Sequence, residues 1–250
     1  MSGDTFHLVE AFGPTLQGEG LMIGTPCYFL RVGGCDYRCS WCDSLHAVLP
    51  SLVRLSPRVT WEEAVERIHD LPGKAEWVVL SGGNPLVWDL EDLVHGLQAK
   101  GFSVMVETQA SIFRDWVNLC DFVVLSPKPP SSGMPHAHSD WADTLEQFVN
   151  SLELSVTAYQ IKVVVFNDED LTFAREIHSW YPDTKMTISC GTFAPTTPYT
   201  RSERGVQDEA RDILARTATI AAKVLADPVL GNVPVHPQYH VLLWGHAKGV

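Results

Sequence analysis

Six runs of mostly apolar, β-branched and aromatic residues punctuate the chain: PCYFLRV (26–32), EWVVLSG (76–82), FSVMVET (102–108), DFVVLSP (121–127), YQIKVVVF (159–166) and TKMTISC (184–190). Their hydrophobicity is continuous rather than alternating, which predicts strands covered on both faces. Helical patterns separate most of them. Thr60 opens TWEEAVERIHDL with Glu63 three positions later, a capping-box spacing, and Pro72-Gly73 closes it. A second helix is predicted from Asp89 to Gly101 and a third from Asp168 to just before Pro182. Val206, Ala210, Ile213, Leu214, Thr217, Ile220, Ala221 and Val224 recur at spacings of three and four and mark a fourth, long and amphipathic. Strand and helix therefore alternate, and the class is α/β: parallel strands with right-handed helical crossovers, in an open wound sheet or a partial barrel.

In either architecture chemistry collects beyond the C-terminal ends of the strands. The polar punctuation falls there, as SGGNP after the second run, ETQAS after the third and SPKPPSSG after the fourth. No repeat beyond the alternating unit and no inter-domain linker is visible, so residues 1–250 are expected to form one domain. The Pro/Ser-rich stretch 127–139 reads as a lid or an edge crossing.

Composition removes several function classes. With 45% hydrophobic and 19% charged residues the chain has too much apolar material to be disordered. Its net charge of −12, with no Lys/Arg run longer than two residues, repels phosphate backbones and anionic lipid, so neither nucleic acid nor membrane is an expected partner. The N-terminus lacks a leader pattern and no apolar run approaches a membrane span, so a cytoplasmic location is expected.

Three of the six cysteines stand within eight residues, in RVGGCDYRCSWCDS (31–44). Random placement gives roughly 0.003 such clusters per chain, so Cys35, Cys39 and Cys42 are not accidental. In a reducing compartment this spacing points to metal binding rather than a disulfide. Three thiolates suit an iron-sulfur cluster with one open position, or zinc if His46 completes a Cys-x3-Cys-x2-Cys-x3-His set. Cys27, Cys120 and Cys190 lie among apolar neighbours and read as small buried side chains. His136 and His138, in a Pro/Ser-rich loop without a third ligand, do not read as a metal site.

CxxxCxxC after the first strand, followed by Gly-Gly after the next, resembles the radical S-adenosylmethionine superfamily. That resemblance implies a partial (β/α)6 barrel in which Cys35, Cys39 and Cys42 hold a 4Fe-4S cluster and S-adenosylmethionine chelates the fourth iron. SGGNP resembles the superfamily's GGEP motif, with Asn84 in place of the usual acid. More narrowly, TLQGEG (15–20), FLRVGGCDYRCSWCDS (29–44), LSGGNP, VETQAS, SPKPPSSGM and the terminal PQYHVLLWGHAKGV together resemble the 7-carboxy-7-deazaguanine synthase family from end to end. The resemblance implies a lyase of queuosine and deazapurine biosynthesis. Such an enzyme contracts the ring of 6-carboxytetrahydropterin by a radical route, expels ammonia and uses Mg2+. It implies a homodimer and an electron donor such as flavodoxin or ferredoxin.

The same resemblance implies roles for individual residues. Gly82, Gly83, Asn84, Glu107, Thr108, Ser126 and Lys128 become candidates for S-adenosylmethionine. Gln17, Glu19, Arg31, Ser81, His246 and the terminal carboxylate of Val250 become candidates for the pterin, and Ser44 for magnesium with Asp43 behind it. The chemistry suits them: Arg31 offers a fork to a carboxylate, Gln17 and Glu19 can read an amino-amide edge, and a serine hydroxyl is a hard oxygen ligand. Tyr37 and Trp41 read as hydrophobic cover of the cysteine loop. Two other readings stay open: an activase that installs a glycyl radical on a partner protein, and a zinc-bound interaction module without catalysis.

Overall fold

The computed structural model describes residues 5–134, 140–193, 203–247 and 249. Nine strands form one sheet: β1 (Phe6–Leu16), β2 (Pro26–Val32), β3 (Arg58–Val59), β4 (Trp77–Gly82), β5 (Ser103–Thr108), β6 (Phe122–Leu125), β7 (Ala158–Val165), β8 (Met186–Cys190) and β9 (Val235–Pro237). The helices are α1 (Leu45–Val48), α2 (Pro50–Val53), α3 (Trp61–His69), α4 (Glu91–Ala99), α5 (Trp141–Glu153), α6 (Asp168–Trp180), α7 (Glu203–Leu225) and α8 (Tyr239–Trp244). All six predicted strands and all four predicted helices are present.

Strand order is β3-β1-β2-β4-β5-β6-β7-β8-β9. From β2 to β9 every pairing is parallel, while β1 joins β2 and β3 antiparallel. The parallel part follows chain order without reversal. Right-handed crossovers in an unreversed order all fall on one face, so the helices share that face and the sheet curls around the other. The end strands β3 and β9 are not neighbours. The result is a partial barrel.

Alternation along each strand divides the two faces. Val78 and Leu80, Val104 and Val106, Val123 and Leu125, then Ile161, Val163 and Val165 join the helix side. There they meet Ala64, Val65 and Ile68 of α3, Leu93, Val94 and Leu97 of α4, Leu145, Phe148, Val149 and Leu152 of α5, and Leu171, Phe173, Ala174 and Ile177 of α6. Each fully buried side chain of this size contributes about 1.5–3 kcal/mol, so this face stabilises the fold. The other face holds a small cluster of Cys27, Val79, Met105, Phe122 and Val124, with Phe29 and Trp77 against it. Farther along the same strands that face turns polar, at Arg31, Ser81, Glu107 and Lys162.

Local signals explain several boundaries. Thr60 accepts from Glu63 N at 3.3 Å while Glu63 accepts from Thr60 N at 3.0 Å, the reciprocal cap expected for α3. Asn167 caps α6 by accepting from Asp170 N at 3.0 Å. The described part of the Pro/Ser-rich stretch is a short 3-10 turn, Pro130–Ser132, that braces the cysteine loop. Ser40 Oγ donates to Ser131 O at 2.7 Å and Trp41 Nε1 to Ser131 Oγ at 3.0 Å. His136 and His138 lie outside the described residues. No described helix is long and apolar enough to cross a membrane.

Candidate active site

A cavity of about 440 Å³ opens where the polar ends of the strands converge. The loop after β2 brings Cys35, Cys39 and Cys42 to one side of it, with Tyr37 and Trp41 between them. Trp41 packs on Phe166 at a ring separation of 4.9 Å, and Tyr37 is buried, so both cover the loop. The end of β4 adds Ser81 and Gly82 and the turn after it Gly83, packed so closely that a Cβ on Gly83 would overlap the Gly34 carbonyl oxygen and Cys35 Cβ. Only glycine allows this contact between the two motifs.

The thiols are free and each is part-buried. Burial pushes all three up, Cys39 to about 11, and Cys39 and Cys42 also feel neighbouring thiols. Cys35 Sγ accepts from Tyr37 N at 3.4 Å and Gln109 Nε2 at 3.5 Å. Among the described residues no group of three or more His, Cys, Asp or Glu side chains is gathered tightly enough to hold a single metal ion. His46 faces Glu10 Oε2 through Nε2 at 3.2 Å, so the fourth ligand of the zinc alternative is engaged elsewhere. Three soft donors on one cavity suit an iron-sulfur cluster with one open position.

Asn84 does not line the cavity. Its oxygen accepts from Thr108 Oγ1 at 2.9 Å and Leu86 N at 3.3 Å, and its nitrogen donates to Asp36 Oδ1 at 2.9 Å and Ser111 Oγ at 3.2 Å. An amide has two lone pairs and two N–H bonds, so its capacity is filled. Asn84, expected to contact S-adenosylmethionine, here holds Asp36, the neighbour of Cys35. Ser126 is fully buried and accepts from Lys128 Nζ at 3.0 Å; Lys128, Glu107 and Thr108 line the cavity.

The substrate candidates Gln17, Glu19, Arg31, Ser81 and His246 also line the cavity. Gln17 Oε1 accepts from Gly18 N at 2.7 Å and Glu19 N at 3.2 Å, so this side chain shapes the loop that presents Glu19. Gly20, at φ +72°, closes that loop over Gln160. Glu19 accepts from Gln238 Nε2 at 2.7 Å and pairs with Lys162. Burial would raise its pKa, but Lys162, with His240 adding, holds it down at about 2. Arg31 donates to Glu10 Oε2 at 2.8 Å and to Ser44 Oγ at 3.2 Å while lining the cavity, and Ser44 donates to Asp43 Oδ1 at 2.9 Å. A cation at Ser44 would meet this guanidinium. The terminal segment folds back as expected and places His246 and Gly249 on the cavity; Val250 lies outside the described residues.

Several lining or supporting residues were not singled out from the sequence, Glu10 among them. Gln109 donates to Asp36 Oδ1 at 2.8 Å; Gln238 and His240 arrive with α8; and Lys162 stands behind Glu19 and Glu107. Gln109, Gln238 and His240 sit inside the family-like motifs VETQAS and PQYHVLLWGHAKGV, while Lys162 left only a lone charge inside an apolar strand.

No protein-family model matches the chain. The 7-carboxy-7-deazaguanine synthase of Bacillus subtilis (strain 168) is 36% identical over 247 residues, covering 97% of this chain and 98% of that protein. The 7-carboxy-7-deazaguanine synthase of Bacillus cereus (strain ATCC 14579) is 32% identical over 252 residues with the same coverage. Among solved structures, QueE from Escherichia coli aligns with a TM-score of 0.63 at 21% identity, over 94% of this chain and 95% of that one. Streptococcus suis SuiB bound to precursor peptide SuiA aligns with a TM-score of 0.51 at 13% identity, over 81% of this chain and 46% of that one.

Proposed function

The chain belongs to the 7-carboxy-7-deazaguanine synthase family, and on that premise we propose that it converts 6-carboxy-5,6,7,8-tetrahydropterin to 7-carboxy-7-deazaguanine with loss of ammonia, as a carbon-nitrogen lyase. The observation that carries this reading is the convergence of three thiols, Arg31 and Glu19 on one cavity. Cys35, Cys39 and Cys42 would hold a 4Fe-4S cluster that, together with S-adenosylmethionine, would supply the carbon-radical chemistry that side chains cannot.

The chain's own residues bind, orient and shield. Tyr37 and Trp41 keep water from the thiols. The Gly82-Gly83 backbone, Thr108 and Lys128 hold the methionine and ribose parts of S-adenosylmethionine, with Asn84 and Ser126 bracing them from behind. Arg31 receives the pterin carboxylate, exchanging part of its bond to Glu10 for a charge-assisted pair worth about 1.5–3 kcal/mol. Glu19, held ionised, accepts from the N–H groups of the pterin's amino-amide edge, and Ser81 and His246 complete the pocket. Ser44, with Asp43 beside it, would offer hard oxygen to Mg2+ once the Arg31 guanidinium leaves its hydroxyl for the pterin carboxylate.

A homodimer and a flavodoxin- or ferredoxin-type reductant accompany this reading through the family resemblance. Anaerobically reconstituted protein supplied with S-adenosylmethionine, Mg2+ and the pterin is expected to release 7-carboxy-7-deazaguanine, identified by mass. A fully loaded cluster that yields none rules the reading out. Turnover only in the presence of a glycyl-radical partner protein would favour the activase instead.

A further inference from the structure

Lys162 is among the largest side chains with no exposed surface in the described chain. It lies on β7 between Ile161 and Val163, which face the helices, so it projects toward the cavity side. It forms no part of the cavity wall but stands behind two residues that do. Its Nζ donates to Glu19 Oε2, from the loop after β1, and at 2.6 Å to Glu107 Oε1, from the end of β5. Glu19 Oε1 is taken by Gln238, and Glu107 Oε2 is not used by the lysine.

We propose that Lys162 is a positioning residue of this site: it clamps Glu19 and Glu107 into one wall carrying a single net negative charge, and so fixes the acceptor face against which a ligand edge rich in N–H donors binds. The inference rests on the pterin reading above and deepens it. Two carboxylates and one ammonium leave one negative charge. Without the ammonium, two carboxylates reaching for one buried point cannot both stay ionised in place. As both ionise, one turns away and the paired acceptor face is lost. The other titratable groups around the clamp do not replace the lysine. His240 of α8 and His236 of β9 face Glu19, and burial lowers the pKa of both; Asp43 and His246 act on His240. Among the described residues no other lysine or arginine pairs with Glu19 or Glu107.

The test uses reconstituted Lys162→Met, Lys162→Gln and Lys162→Met/Glu107→Gln proteins, with pterin turnover measured from about pH 6 to about pH 9. The clamp predicts that Lys162→Met raises KM about tenfold or more with a smaller change in kcat, and that the defect deepens as pH rises and both carboxylates ionise. Lys162→Gln shows the same direction. The double variant, with one carboxylate neutralised, recovers most of the lost KM and loses the added pH dependence. Equal, parallel defects in the single and double variants overturn the proposal, because a packing role does not respond to charge compensation. If Lys162→Met does not fold, the Lys162→Gln and double-variant profiles decide by the same criteria. Wild-type turnover separates the two claims. If wild type ignores the pterin, the substrate reading fails, and the clamp is judged by thermal midpoints: Lys162→Met must lose more at high than at low pH, and Glu107→Gln must restore it.

Discussion

At the scale of single residues, Asn84 is fully engaged within the protein. All four hydrogen-bonding positions of its amide are filled, one of them by Asp36. Asn84→Asp would restore the acid seen in the related GGEP motif, yet it would set one carboxylate against another. We expect a loss of about 1–3 kcal/mol in denaturant unfolding at neutral pH, partly recovered below about pH 5 as one carboxyl gains a proton and donates. Undiminished stability together with tighter S-adenosylmethionine binding would return Asn84 to a direct contact. Glu10 gives a second residue-level prediction. The hydrogen bond from His46, against the opposing effect of burial and with Arg31 assisting, holds its carboxyl at about 2 against an ordinary 4.5. The folded value is the lower one, so this stabilisation is complete above about pH 4.5 and lost as pH falls toward 2. Glu10→Gln should flatten acid unfolding across that window, as followed by circular dichroism; an unchanged acid limb would remove Glu10 from the account.

At the scale of elements, the site is a contact between two turns and a brace beneath them. Gly83→Ala forces a Cβ into Gly34 and Cys35, so the turn after β4 must back away from the cysteine loop. The expected result is a folded protein with markedly less iron and weaker absorption near about 400 nm after reconstitution; full iron loading would show that the contact is dispensable. Beneath the loop, the fully buried Asp170 accepts from Ser131 N at 3.0 Å, Ser131 Oγ at 2.8 Å and Phe166 N at 2.8 Å. Asp170→Ala leaves those donors unpaired and should cost about 3 kcal/mol or more in denaturant unfolding. The elements legible in the sequence were those buried on both sides or capped by their own side chains. β1 escaped notice because it is half-exposed along most of its length, and its order comes from β2 and β3 rather than from an apolar run. β3 and β9, at two and three residues, are too short to carry a pattern. α5 was not read from the sequence, although Leu145, Phe148, Val149 and Leu152 recur at helical spacing, because it follows a Pro/Ser-rich stretch that read as loop.

At the scale of the whole molecule, an unreversed strand order gathers the helices on one side and leaves the concave face to chemistry. That is why cysteines from the loop after β2, glutamates from β5 and from the loop after β1, and a histidine from α8 share one cavity. The cysteine spacing and the turn motifs were readable because each sits within a few residues. The Lys162 clamp and the Glu10–Arg31–Ser44 chain were not, because their partners lie far apart in sequence and only the fold brings them together. The central claim is that three thiols hold a cluster with one iron left for S-adenosylmethionine. Electron paramagnetic resonance of the reduced, reconstituted protein tests it most directly. About four irons per chain by metal analysis and a resonance spectrum that shifts when S-adenosylmethionine is added are expected. Bound zinc in place of iron, or a cluster whose spectrum S-adenosylmethionine leaves unmoved, would contradict it.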